Sequence, residues 1–95
     1  MTQIKIYVVD EQKSIVQLEE IKKELCSLYG GLSKYPNVKG LWLGPNGIEC
    51  DNVTVYEIWT DKPQKEKLRE IALRIKELTQ QKAQLYTINF KSYFV

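Results

Sequence analysis

The sequence predicts an α+β fold, a two-layer sandwich of one antiparallel sheet and two helices, and three observations predict it. Two segments carry apolar residues at helical intervals of three and four, each follows a strand-like segment, and a Gly-Pro-Asn-Gly turn separates the two halves. A chain of 95 residues is long enough for one such core and too short for a second, so residues 1–95 are expected to form a single domain.

The first strand is expected over Ile4 to Val9, where Ile4, Ile6 and Val8 alternate with Lys5, Tyr7 and Val9. It ends at Asp10. Ser14 and Gln17 have the spacing of a capping box, which predicts a helix starting at Ser14. Leu18, Ile21, Leu25 and Leu28 form its apolar stripe, and Glu19, Glu20, Lys22, Lys23 and Glu24 cover the rest. Gly30 stands where a left-handed residue closes the helix after Tyr29.

Leu32 to Tyr35 and Val38 to Leu43 are two extended pieces interrupted by Pro36-Asn37, read as one strand broken by a bulge or turn. The break suits an edge strand, because it blunts the free edge against unwanted pairing. Gly44-Pro45-Asn46-Gly47 predicts a hairpin, and Val53 to Thr60, rich in β-branched and aromatic residues, predicts the strand beyond it. Asp61-Lys62-Pro63 resembles a helix start, with Asp61 as cap. Leu68, Ile71, Ala72, Ile75 and Leu78 then mark a second helix to about Gln81, and Gln84 to Val95 alternates as one final strand.

Strand, helix, strand, strand, helix, strand is the split βαβ plan of ferredoxin-like sandwiches: a four-stranded antiparallel sheet with both helices on one face. The other face is then partly apolar. With Ile4, Ile6, Val8, Tyr56 and Ile58 turned to the helices, Tyr7, Val9, Val55 and Trp59 point away, joined by Tyr35, Lys39 and Trp42 around the broken strand. Monomers rarely leave such a patch bare, so it is expected to be covered by a second copy of the chain, with a dimer as the simplest solution, or by Tyr93-Phe94-Val95 folding back onto it.

Composition narrows the chemistry. Apolar residues are 43% of the chain and charged residues 27%, ordinary globular usage. The net charge of +2, from 14 basic and 12 acidic residues, is too small and too interspersed to imply nucleic acid by itself. No apolar run approaches the roughly 18 residues of a membrane span, and the N-terminus lacks a secretion-signal pattern, so a cytoplasmic protein with no membrane partner is expected. The absence of histidine removes Ser-His-Asp and Cys-His catalysis, and Cys26 and Cys50 alone cannot complete a zinc site. Both thiols are expected to be reduced, Cys26 half-buried on its helix. Gly30-Gly31 follows a helix instead of opening one and lacks the spacing of a phosphate loop. Glu49 and Asp51 flank the hairpin as two carboxylates without further oxygen ligands, which reads as a solvated turn. No cofactor, metal ligand set or catalytic group is assigned.

Several families share this topology. Lys5-Ile6-Tyr7-Val8-Val9 resembles the shorter signature of RNA-recognition motifs, which implies a stacking platform for single-stranded nucleic acid. The longer signature is missing from Asp51 to Thr60, where the outward Glu57 would repel a phosphate. Asp10 at the end of the first strand resembles the aspartate of CRISPR-associated ferredoxin-like nucleases, which implies a divalent metal held across a dimer. No arginine follows Asp10, and the second strand departs from that family's pattern. Acylphosphatases share the plan too, but their arginine loop is absent between Val9 and Ser14.

From Ile4 to Phe90 the chain also resembles a set of small uncharacterised prokaryotic proteins, through Gly30, Gly31, Ser33, Gly40, Trp42 and the Val53 to Thr60 strand. That resemblance implies the fold and carries no activity. The reading with the fewest assumptions is a non-catalytic, self-associating module that recognises a protein or a small ligand. Nucleic-acid binding and an Asp10-dependent nuclease are its alternatives.

Overall fold

A computed structural model describes residues 1–95 as an α+β structure with two helices and one five-stranded antiparallel sheet. The elements are β1 (Thr2–Val9), a 3-10 turn (Glu11–Ser14), α1 (Ile15–Tyr29), β2 (Ser33–Gly44), β3 (Gly47–Thr60), α2 (Lys65–Leu78), β4 (Leu85–Ile88) and β5 (Lys91–Phe94). Spatial order is β2-β3-β1-β4-β5.

The expected four-stranded sheet is therefore corrected to five. Asn89 and Phe90 both take positive φ, 47° and 70°, the geometry of a two-residue hairpin turn. Asn89 is pinned by β1: its Oδ1 accepts from the Gln3 amide at 2.9 Å, while its own amide donates to the Gln3 carbonyl at 2.8 Å. The chain reverses there, and Tyr93 stacks on Tyr86 with ring centroids 5.3 Å apart.

The core lies between one sheet face and both helices. Ile4, Ile6 and Val8 of β1, Tyr56 and Ile58 of β3, and Tyr86 and Ile88 of β4 pack against Leu18, Ile21 and Leu25 of α1 and Leu68, Ile71, Ala72 and Ile75 of α2. Register pairs Ile4 with Ile58 and Ile6 with Tyr56, so the inward residues of the two central strands stand side by side. Between the helices, Arg74 donates to Glu24 at 2.7 Å.

Helix ends differ from the sequence expectation in instructive ways. Gly30 closes α1 at φ 90°, its amide donating to the Cys26 carbonyl, as the left-handed cap requires. Ser14 does not cap α1; its hydroxyl donates to the Leu78 carbonyl at 2.9 Å and fastens the end of α2 instead. Asp61 does not cap α2, which starts at Lys65 after Gln64 and stops at Leu78. Cys26 is exposed, as is Cys50, and the two are not bonded.

β2 is an edge strand whose register shifts between Tyr35 and Val38, the bulge that Pro36-Asn37 imposes. Only Val53 to Thr60 of β3 pair with β1, so Gly47–Asn52 and their β2 partners form a free two-stranded arm. At ~3.3 Å per residue, the 14 residues of β3 match the 42 Å long axis of the molecule. No helix is long and apolar enough to cross a membrane.

Candidate functional site

Strand alternation divides the sequence-selected residues between two surfaces. Tyr7 pairs with Val55 and Val9 with Val53, and Tyr35 pairs with Val55 from the other side, all on the sheet face that the helices leave open. Val9, Val53 and Val55 are buried there as a small second cluster under Tyr7. Trp42 belongs to the same side, because its ring lies over Gly40, where an added Cβ would come within 3.0 Å of Val53 and 3.2 Å of the ring. Lys39 does not join them. It pairs with Asn52 on the opposite side of the arm and donates to the Asn52 side chain at 2.7 Å.

Glu57 stands between the aromatic rings of this face, with Lys5 of β1 as its cross-strand neighbour. Glu57 Oε1 accepts from the Tyr35 hydroxyl at 3.3 Å and from the Trp59 indole at 3.2 Å, and Oε2 lies 3.5 Å from Gln3 Nε2. All three donors are neutral and orient the carboxylate, and Lys5 across the strand makes no ion pair with it. Tyr35 and Trp59 are half-exposed, at 49% and 52%, and their rings remain open to a ligand. A carboxylate flanked by aromatic faces attracts cations twice over, through its charge and through the ring quadrupoles. A nucleic-acid backbone laid across the same face would meet that charge unfavourably. The sequence marks Glu57 as outward and acidic, and what it does not reveal is that Tyr35 of β2 and Gln3 of β1 converge on it.

A second cluster lies on the helix side. Glu11 is 4% exposed, yet its carboxylate is ionised and held by three partners: the Tyr56 hydroxyl, Lys34 Nζ at 2.9 Å and Lys22 Nζ at 3.3 Å. Burial alone would push the Glu11 carboxyl up; the Tyr56 and Lys34 hydrogen bonds and the two lysine charges outweigh it and hold the group below its ordinary value. Burial, then the Glu11 contact, pushes the Tyr56 phenol up, so it stays a neutral donor. Nothing in Asp10-Glu11-Gln12-Lys13, four polar residues in a row, distinguishes this cluster from a solvated turn.

Asp10, the sequence candidate for metal chemistry, sits at φ 49° at the head of the 3-10 turn with Lys13 Nζ 3.5 Å from its carboxylate. No group of three potential metal ligands gathers around it or anywhere else in the chain.

No protein-family model and no curated protein sequence matches the chain. Two solved structures do. A phage SAM lyase in the apo state superposes with a TM-score of 0.73 at 12% identity, over 99% of this chain and 87% of that one. The phage SAM lyase in complex with S-methyl-5'-thioadenosine gives 0.73 at 11% identity, over 99% and 88%. At such identities the likeness is one of fold.

Proposed function

We propose that this chain is a self-associating, small-molecule-binding module on the ferredoxin-like plan, with β5 added at one edge. In this reading the open sheet face of one copy is closed by another, and a small organic cation lies between them against Glu57, Tyr35 and Trp59. The observation that carries it is the Glu57 carboxylate, held by the Tyr35 hydroxyl and the Trp59 indole on the open sheet face and in no ion pair with its cross-strand neighbour Lys5. The neighbouring fold supports the ligand class: that protein is a lyase for SAM, a sulfonium cation, and was solved with S-methyl-5'-thioadenosine, which is neutral.

Isothermal titration of the wild type and Glu57→Gln with SAM and with S-methyl-5'-thioadenosine tests the proposal. SAM is expected to bind the wild type and to lose at least about tenfold in affinity, ~1.4 kcal/mol, in the variant, while the neutral thioether changes little. SAM binding equally well to both proteins would remove Glu57 from the site. A second reading, that the chain cleaves SAM, is favoured by the extent of the fold match. Release of S-methyl-5'-thioadenosine from SAM by the wild type would establish it, and intact recovery of bound SAM would support the non-catalytic module.

A further inference from the structure

On the opposite side of the sheet, between the 3-10 turn and the β2 bulge, lies a cavity of about 270 Å³ whose lining is polar or charged apart from Pro36. At ~30 Å³ per water that is room for about nine waters, below the size of drug-binding pockets and suited to a small polar molecule. Its walls carry both signs of charge: Asp10 and Lys13 on the turn, Lys34 on β2, with Asn37, Asn52 and Thr54 between them.

The two charged ends are unequal. Glu11, deep in the wall, is shared by Lys22, Lys34 and Tyr56, and Lys22 is paired more closely with Glu19 at 2.6 Å, which leaves Lys34 as the cation that faces the cavity at the β2 end. The side chain of Lys34 is 36% exposed and uses one of its three protons on Glu11. Asp10, at the other end, makes no cap hydrogen bond, and its one ion pair is to Lys13, whose side chain is 81% exposed and free to swing away. Asp10 and Asn37, both in the lining, are both left-handed, at φ 49° and 62°.

We propose that this cavity binds the zwitterion of a small polar α-amino acid, its carboxylate against Lys34 and Asn37 and its ammonium against Asp10. The site lies within one chain and on the far face from Glu57, so it stands or falls independently of the open-face ligand.

The test is NMR titration of the full-length protein with L-serine, with 3-hydroxypropanoate, which lacks the ammonium, and with ethanolamine, which lacks the carboxylate. L-serine is expected to give saturable shifts of the Asp10, Lys34 and Asn37 amides, at least about tenfold tighter than either one-ended analogue. Asp10→Asn, which tolerates the left-handed backbone, should bring serine down to the affinity of 3-hydroxypropanoate. Asn37→Gly, likewise compatible with its φ, should weaken serine and 3-hydroxypropanoate together. Absence of saturable serine shifts in folded wild type would overturn the proposal. So would 3-hydroxypropanoate binding as tightly as serine, or serine affinity unchanged in Asp10→Asn.

Discussion

Glu11→Ala is expected to destabilise the fold by about 3 kcal/mol, because it leaves buried partners without their acceptor. The Lys22 side chain is 12% exposed and would keep only Glu19, at 2.6 Å. The Tyr56 hydroxyl belongs to a residue with no exposure and would keep nothing. Urea unfolding at neutral pH measures the loss, and a midpoint unchanged from wild type would contradict the role given to the cluster. The same contacts fix the pH dependence. The folded carboxyl titrates below its ordinary value of 4.5, so its contribution is complete above that pH and disappears as pH falls through the folded value. The advantage of the wild type over Glu11→Gln is therefore expected to shrink in acid below about pH 4.5; an advantage that grew with acidity would reverse the sign.

In the proposed assembly, replacing Leu41 and Leu43 together by lysine is expected to weaken association through the arm and leave each copy folded. Both side chains stand on the free arm, 65% and 85% exposed, with Ile48 at 69% beside them and Trp42 at 43% on the other side. A two-stranded ribbon with exposed leucine and isoleucine is marginally stable by itself in water, and cover from a second copy is the proposed remedy. Burying a leucine stabilises by roughly 1.5–3 kcal/mol, so removing two per copy should weaken association by at least about a hundredfold. Sedimentation velocity at micromolar concentration reads the change. A wild-type sedimentation coefficient in the double variant would clear the arm of any part in assembly.

The readable portion of the fold was what local periodicity controls. The alternation of β1, the apolar stripes of α1 and α2, the Gly30 cap and the Gly44–Gly47 turn each depend on residues within a few positions of one another, and all stand in the structure. The misread portion depended on distant partners. Ser14 serves the Leu78 carbonyl, 64 residues away, in place of its own helix. Asn89 turns the chain because β1 holds it through Gln3, and without that contact Gln84 to Val95 reads as one uninterrupted strand. For the site, outward orientation was legible from alternation, which put Tyr7, Val9, Val55 and Trp59 on one face. Lys39 fell on the wrong side because parity along β2 depends on how the bulge resolves between Tyr35 and Val38. The convergence on Glu57, and the Glu11 cluster entirely, required the register of three strands and the path of the turn, which no local pattern encodes.

The central claim is that the open face and the arm are completed by another copy of the chain. Light scattering on the purified wild type at micromolar concentration measures it most directly. A mass of two or more times 11.1 kDa is predicted, with a dimer the simplest outcome. A single species of 11.1 kDa that persists as concentration rises would contradict the account and leave the aromatic face free in solution.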